Sequence, residues 1–351
     1  MGENMETRAC VLYKQEDVRI ETRPVGDVGP HQVLVRVGAG GICGSDIHYY
    51  WEGGIGTIRV TAPIILGHEV AGTVEAVGDK VTRVRPGDRV ALSPSRPCNT
   101  CKFCLSGEQQ HCLNMRFFGS AMLTPHTDGA FRDRLVAEDY QCELVGDQVS
   151  LGEAACAEPL AVCVHALNQA GNLMGRRILV TGAGPIGALL IGAARVAGAQ
   201  EIIAMDISQA PLNAALAMGA TAAINSAKEP DRLMHDYSAE KGYFDVAFEC
   251  TGVGAVLKQA FPVVRPRGTI VQVGISGGAD LPVNALVGKE IRLVGSQRFH
   301  KEYAVAAALI RERRIDVKPI ITQTLPMERI AEAFQIARDR STQLKVQLSF
   351  A

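Results

Sequence analysis

Ile178-Leu-Val-Thr-Gly182-Ala-Gly184-Pro-Ile-Gly187 runs on through Ala188-Leu-Leu-Ile-Gly-Ala-Ala-Arg195-Val and reaches Ile202-Ile-Ala-Met-Asp206. This is the most apolar part of the chain, so a membrane span must be weighed first. Arg195 and the repeated glycines argue against one, and the stretch divides naturally into strand, glycine turn, helix and strand. In a Gly-x-Gly-x-x-Gly turn between strand and helix, the first glycine allows the tight bend. The second lets a pyrophosphate approach the backbone, and the third lets the helix pack close to the sheet. Gly182, Gly184 and Gly187, with Pro185 and Ile186 between them, therefore form a candidate cofactor site. Asp206 ends the next strand at the spacing expected for a group that accepts hydrogen bonds from the adenosine ribose. Its charge would repel a 2′-phosphate, and residues 207–217 offer no Lys or Arg to compensate. NAD is thus expected over NADP. Val273, Gly274 and Ile275, at the end of a later strand, complete the cofactor set.

The texture extends outward from this turn. From about 156 to 294, predicted strands (Ile178–Thr181, Ile202–Met205, Asp245–Glu249, Thr269–Val273) alternate with helical stretches such as Pro185–Val196. Alternation of this kind predicts an α/β domain, a Rossmann-type doubly wound parallel sheet with helices on both faces. Residues 1–155 instead read as short β segments punctuated by Gly and Pro, with strand alternation at Val33–Val37 and Ala71–Val77 and a turn at Pro86-Gly87-Asp88. The tail from 295 carries a helical stretch near Ile330–Ala337 and ends in Lys345-Val-Gln-Leu. It is expected to return to the first domain, giving boundaries of 1–155, 156–294 and 295–351.

A chain of 351 residues with 47% apolar content can bury two cores. Its net charge of -1 and its lack of a basic run exclude nucleic acid or an anionic membrane as the main partner. Met1-Gly-Glu-Asn-Met-Glu lacks the apolar core of a signal peptide, so the ten cysteines read as metal ligands or thiols in a reducing, cytoplasmic setting rather than disulfides.

Cys98, Cys101, Cys104 and Cys112 follow a C-x2-C-x2-C-x7-C spacing within one polar loop, about 96–114. Four thiolates so close in sequence can close a tetrahedral zinc site. No acid or base is woven through the loop, so its role should be structural. A second candidate set, Cys43, His68 and Glu158, is dispersed along the chain. Three protein ligands leave a fourth position for water or a substrate oxygen. Singly, each has a plainer reading: a buried hydrophobe, a satisfied polar residue, and a helix-start residue before Pro159.

The local motifs decide between these readings. Gly67-His68-Glu69-x2-Gly72-x5-Gly78-x2-Val81, Cys43-Gly-Ser45-Asp-Ile-His48 and Ala157-Glu158-Pro-Leu160 resemble the zinc-containing medium-chain alcohol and polyol dehydrogenases across nearly the whole chain. The resemblance implies a β-rich GroES-like catalytic domain beside the Rossmann domain. It also implies one catalytic and one structural Zn2+ per chain, NAD-linked oxidation of a secondary hydroxyl, and a homodimer or homotetramer. Cys43, His68 and Glu158 become zinc ligands, and Glu69 either ligates the metal or tunes it from behind. Ser45 and His48 become a proton relay. Tyr49 and Arg298 fall at substrate-contact positions. The segment Met115–Gly129 resembles the sugar-acid branch of the family more than the neutral-polyol branch. A sugar acid adds a carboxylate, for which Arg116, His126 and Arg298 are candidate cations, with Phe118 in the same substrate set.

Overall fold

The computed structural model describes residues 5–275 and 277–350. Its parallel sheet has six strands in the order Ala222–Asn225, Glu201–Asp206, Arg177–Thr181, Phe244–Glu249, Val264–Gln272 and Arg292–Gly295. The order reverses on either side of Arg177–Thr181, so the glycine turn sits at the topological switch point, where doubly wound sheets bind ligands. Period-two alternation explains why these strands are apolar throughout. Ile178 and Val180 enter one core with the helices Ala157–Ala170, Pro185–Val196 and Glu302–Arg311. Leu179, Ile203 and Met205 enter a second core on the opposite face.

The other domain is built on an antiparallel-rich sheet. Its path runs Cys142–Leu144, Arg89–Leu92, Glu69–Val77, Gln32–Gly41, Lys345–Ser349, Ile321–Pro326, and Arg134–Glu138 also pairs with Gln32–Gly41. The late strand Lys345–Ser349 lies antiparallel to Gln32–Gly41, with Gln347 opposite Gly41. The tail therefore crosses back and adds its last two strands to the end of the first sheet beside Gln32–Gly41. A separate core, including Val33, Val35, Leu66 and Phe131, closes this domain. Among the described residues no helix is long and apolar enough to cross a membrane.

Local departures from the expected elements have simple causes. The Glu158 helix begins at Ala157, two residues before Pro159. Pro still sits within the first turn, where its missing N–H leaves no hydrogen bond broken. The strand expected from Thr269 starts at Val264, through a register shift that sequence alternation does not display.

Candidate active site and metal centres

The first candidate centre is assembled by a cap. Cys43 precedes the helix Gly44–Glu52, and the fully buried Asp46 carboxylate accepts the Cys43 N–H at 3.0 Å. The same carboxylate accepts the Gly67 N–H at 3.2 Å and lies 3.7 Å from His68 Nδ1. Asp46 thus pins two segments together and holds the His68 ring from behind. Gly67 has φ +92°, and a Cβ there would overlap the Phe131 ring at 2.1 Å, so only glycine fits.

The ligand atoms of Cys43, His68 and Glu69 all lie within 4.8 Å of one another. Glu158 stands outside this tight group but faces it from the first turn of its helix, where its carboxyl feels the charges of His68, Glu69 and Cys43. Burial pushes the Glu158 carboxyl up to about 8 and the Cys43 thiol up to about 12, and neighbouring acids add to both shifts. So many buried acids converging on one point fit a divalent cation, which would stabilise their ionised forms.

Glu69 has a partner that the sequence did not announce. Lys345 Nζ lies 2.8 Å from Glu69 Oε1 and 2.7 Å from Oε2, and it also donates to the Ile42 carbonyl at 3.2 Å. Both side chains are almost completely buried. The ammonium holds Glu69 from the side of the late strand. Ser45 joins the cluster, its Oγ 3.5 Å from His68 Nε2. His48 faces outward, with Nδ1 2.8 Å from Glu52 Oε1, one helical turn on.

The second centre is the cysteine loop. All four sulfurs lie within 4.8 Å of one another, with Cys101–Cys104 at 3.5 Å and Cys98–Cys104 at 4.0 Å. A tetrahedral site with Zn–S of about 2.3 Å has sulfur–sulfur edges of about 3.8 Å, so the donor set fits zinc. These separations are far too long for disulfides. Polar groups support the sulfurs: Cys98 N–H donates to Cys112 Sγ at 3.2 Å, and the Thr100 hydroxyl donates to Cys98 Sγ at 3.5 Å. The Thr100 bonds, with the Cys101 N–H, draw the Cys98 thiol down to about 5. Burial pushes Cys104 up to about 12.

At the switch point, Gly182 has φ +83°, and a Cβ on Gly187 would stand 1.8 Å from the Gly182 carbonyl oxygen. Gly184 instead faces open space, as a backbone that receives a phosphate must. Asp206 accepts the Ala183 N–H at 2.8 Å through Oδ2 and the Ser208 N–H at 2.9 Å through Oδ1. It therefore braces the glycine turn, and each oxygen keeps a lone pair for a further donor. Pro185 opens the helix, and the Ile186 carbonyl accepts the Cys163 thiol. The Val273 and Gly274 N–H groups both donate to the Glu249 carbonyl, and Ile275 is exposed. Sequence reasoning missed Glu249. Its buried carboxylate accepts from the Thr251 and Gly252 N–H groups and from Gln272 Nε2, tying two strand-end loops together.

The substrate candidates separate. Tyr49 is buried, and its hydroxyl accepts the Ala121 N–H at 3.2 Å. Phe118 is buried in the core of the first domain. Arg116 donates to the Pro125 carbonyl at 3.0 Å. His126 has both ring nitrogens engaged: Nδ1 with the Leu123 carbonyl at 3.0 Å, and Nε2 as acceptor of the Thr61 N–H at 3.0 Å. That pairing makes it a brace of the loop, with both ring nitrogens already engaged. Arg298 is different. Its guanidinium stacks 4.4 Å from the Phe117 ring centroid and points one N–H at Met122 Sδ, and no carboxylate pairs with it among the described residues. Burial lowers its pKa, and the Glu158 charge opposes that shift. Phe117 was also missed. It packs on the cysteine lobe, lies 5.5 Å from the His68 ring, and carries Arg298 on its own ring.

A dinucleotide turn, a closed four-thiolate lobe and a buried Cys/His/carboxylate cluster together define a zinc-binding dehydrogenase. Residues 29–147 match the alcohol dehydrogenase GroES-like domain, and residues 185–312 match the zinc-binding dehydrogenase family. The chain belongs to the zinc-containing medium-chain dehydrogenases and is an NAD(P)-linked alcohol oxidoreductase. It is 39% identical to the L-idonate 5-dehydrogenase (NAD(P)(+)) of Escherichia coli K12 over 99% of each chain. It is 36% identical to sorbitol dehydrogenase of Gallus gallus, over 99% of this chain and 96% of that one. The crystal structure of the Escherichia coli L-idonate enzyme superposes with a TM-score of 0.92 over 99% of each chain.

Proposed function

We propose that this chain oxidises L-idonate at C5 to 5-keto-D-gluconate, reversibly, with NAD. Arg298 carries this reading. A half-buried guanidinium, stacked on the Phe117 ring that also neighbours His68 and without a carboxylate of its own among the described residues, suits a substrate that brings one. Likeness to the Escherichia coli enzyme supports the same substrate class.

Cys43, His68 and Glu158 would hold the catalytic zinc, and Glu69, backed by Lys345, would ligate or tune it. The four lobe cysteines would hold a structural zinc. Bound zinc supplies Lewis acidity toward the secondary hydroxyl, and bound NAD accepts the hydride. Ser45, whose Oγ lies near His68, would take the hydroxyl proton. His48 and Glu52, on the outward face of the same helix, offer it a way to solvent. Asp206 favours NAD over NADP by repelling a 2′-phosphate. The reading carries with it the family's homo-oligomeric state and a cytoplasmic setting.

The rival reading is a sorbitol or xylitol dehydrogenase, favoured by the likeness to the avian enzyme and by the engagement of both His126 ring nitrogens within the protein. Initial rates of zinc-loaded protein on L-idonate, sorbitol and xylitol, with NAD and NADP, separate the two. A kcat/KM preference for L-idonate that collapses in Arg298→Ala supports the sugar-acid reading. A preference for neutral polyols overturns it.

A further inference from the structure

Arg298 sits in the loop between the strand Arg292–Gly295 and the helix Glu302–Arg311, with φ +50°. A bulky L-residue adopts this left-handed conformation only where its surroundings impose it. The exit of the loop is tied to one helix. The Arg292 guanidinium, at the start of the strand that leads into the loop, also donates to that helix, at the Gln169 carbonyl. At the loop's exit, Glu302 turns its carboxylate inward. Oε1 lies 3.0 Å from His165 Nδ1 and 2.9 Å from Asn168 Nδ2, and Oε2 accepts the His300 N–H at 3.0 Å. Between them, Phe299 is buried against Tyr303.

Gln169, His165 and Asn168 all belong to Ala157–Ala170, the helix whose first turn carries Glu158. His165 lies seven residues beyond Glu158, two turns along the same face and about 10 Å on. One rigid helix therefore presents the metal-facing carboxylate at one end and anchors the Arg298 loop at the other. Burial alone would raise the Glu302 carboxyl, but the bonds from His165, the His300 N–H, its own N–H and Asn168 hold it at about 2. It stays ionised and gripped across the neutral range.

We propose that Glu302, clasped by His165 and Asn168, is a positioning residue for substrate choice, setting the place of Arg298 relative to the metal cluster. The proposal rests on the reading of Arg298 as the partner of the substrate carboxylate. The test measures kcat and KM on L-idonate and sorbitol, with zinc content, for Glu302→Ala, Glu302→Gln, Asn168→Ala, Arg298→Ala and the Glu302→Ala/Arg298→Ala double variant. Glu302→Ala is expected to raise KM for L-idonate about tenfold, the equivalent of ~1.4 kcal/mol. Its kcat/KM on sorbitol should move less than about twofold and its zinc content should hold. Glu302→Gln, which keeps one acceptor oxygen, should fall between. In the Arg298→Ala background the Glu302 change should add nothing. Equal losses on both substrates, or an undiminished effect in that background, overturn the proposal. If Arg298→Ala discriminates between the substrates and Glu302→Ala does not, the clasp fails and the reading of Arg298 stands. If Arg298→Ala treats both substrates alike, that reading fails and takes the clasp with it. Should Glu302→Ala not fold, Asn168→Ala decides, with about a threefold rise in L-idonate KM expected from one lost hydrogen bond. An unchanged KM in that variant overturns the clasp.

Discussion

The cysteine lobe and the Cys43 cluster are built in opposite ways. The lobe draws its four sulfurs from residues 98–112, and backbone N–H groups and Thr100 of the same loop support them. The cluster draws Cys43 from a helix cap, His68 and Glu69 from the start of a strand, and Glu158 from the other domain's flank. In the lobe, polar bonds pull the Cys98 thiol down while burial pushes Cys104 up, whereas at the cluster burial drives both Cys43 and Glu158 up. A local site can be made by a loop folding on itself. A dispersed one exists only because the whole fold brings acids together in a place they would otherwise avoid.

The largest expected effect breaks the two apart. Cys43→Ala should cost at least about a thousandfold in kcat, the scale of lost Lewis-acid stabilisation, while the lobe keeps its zinc. Cys104→Ser should do the reverse, admitting protease between residues 96 and 114 while zinc remains at the cluster. Metal analysis beside limited digestion checks both, and joint loss of both metals in either variant would merge the two sites. Next comes Lys345→Met, which leaves Glu69 charged and unpaired. It should cost about 3–5 kcal/mol in a denaturant titration. Adding Glu69→Gln should recover most of that loss, and no recovery would mean that Lys345 acts through something other than the pair. Asp46→Asn should weaken zinc at the cluster about 10–100-fold, as removal of a ligand-orienting partner does. Thr100→Ala, the corresponding change at the lobe, should move zinc affinity only about threefold, since one of several hydrogen bonds to the Cys98 thiolate is lost. Comparable losses in these last two would erase the distinction between fold-built and loop-built support.

The same contrast explains what the sequence displayed. The lobe spacing and the Gly182–Gly187 turn were legible because their parts are neighbours in the chain. The parallel sheet was legible because Ile178, Leu179 and Val180 are apolar on both faces. The Lys345–Glu69 pair spans 276 residues and the His165–Glu302 bond 137, and nothing in local pattern links such positions. The sequence does not separate Phe117 from Phe118, because the strand there is two residues long and ends at Phe117, too short to show alternation. His126 reads as free in the sequence because one of its partners, Thr61, is 65 residues away.

The burial of Lys345 against Glu69 also orders events in time. A ribosome completes Glu69 long before it reaches Lys345, and domains fold as they emerge. The lobe, its ligands leaving the exit tunnel almost together, can capture metal while synthesis is still under way. The Glu69–Lys345 pair must wait for the late strand to thread between Gln32–Gly41 and Ile321–Pro326. In a nascent chain the four lobe cysteines would thus be together before Glu69 meets its ammonium partner.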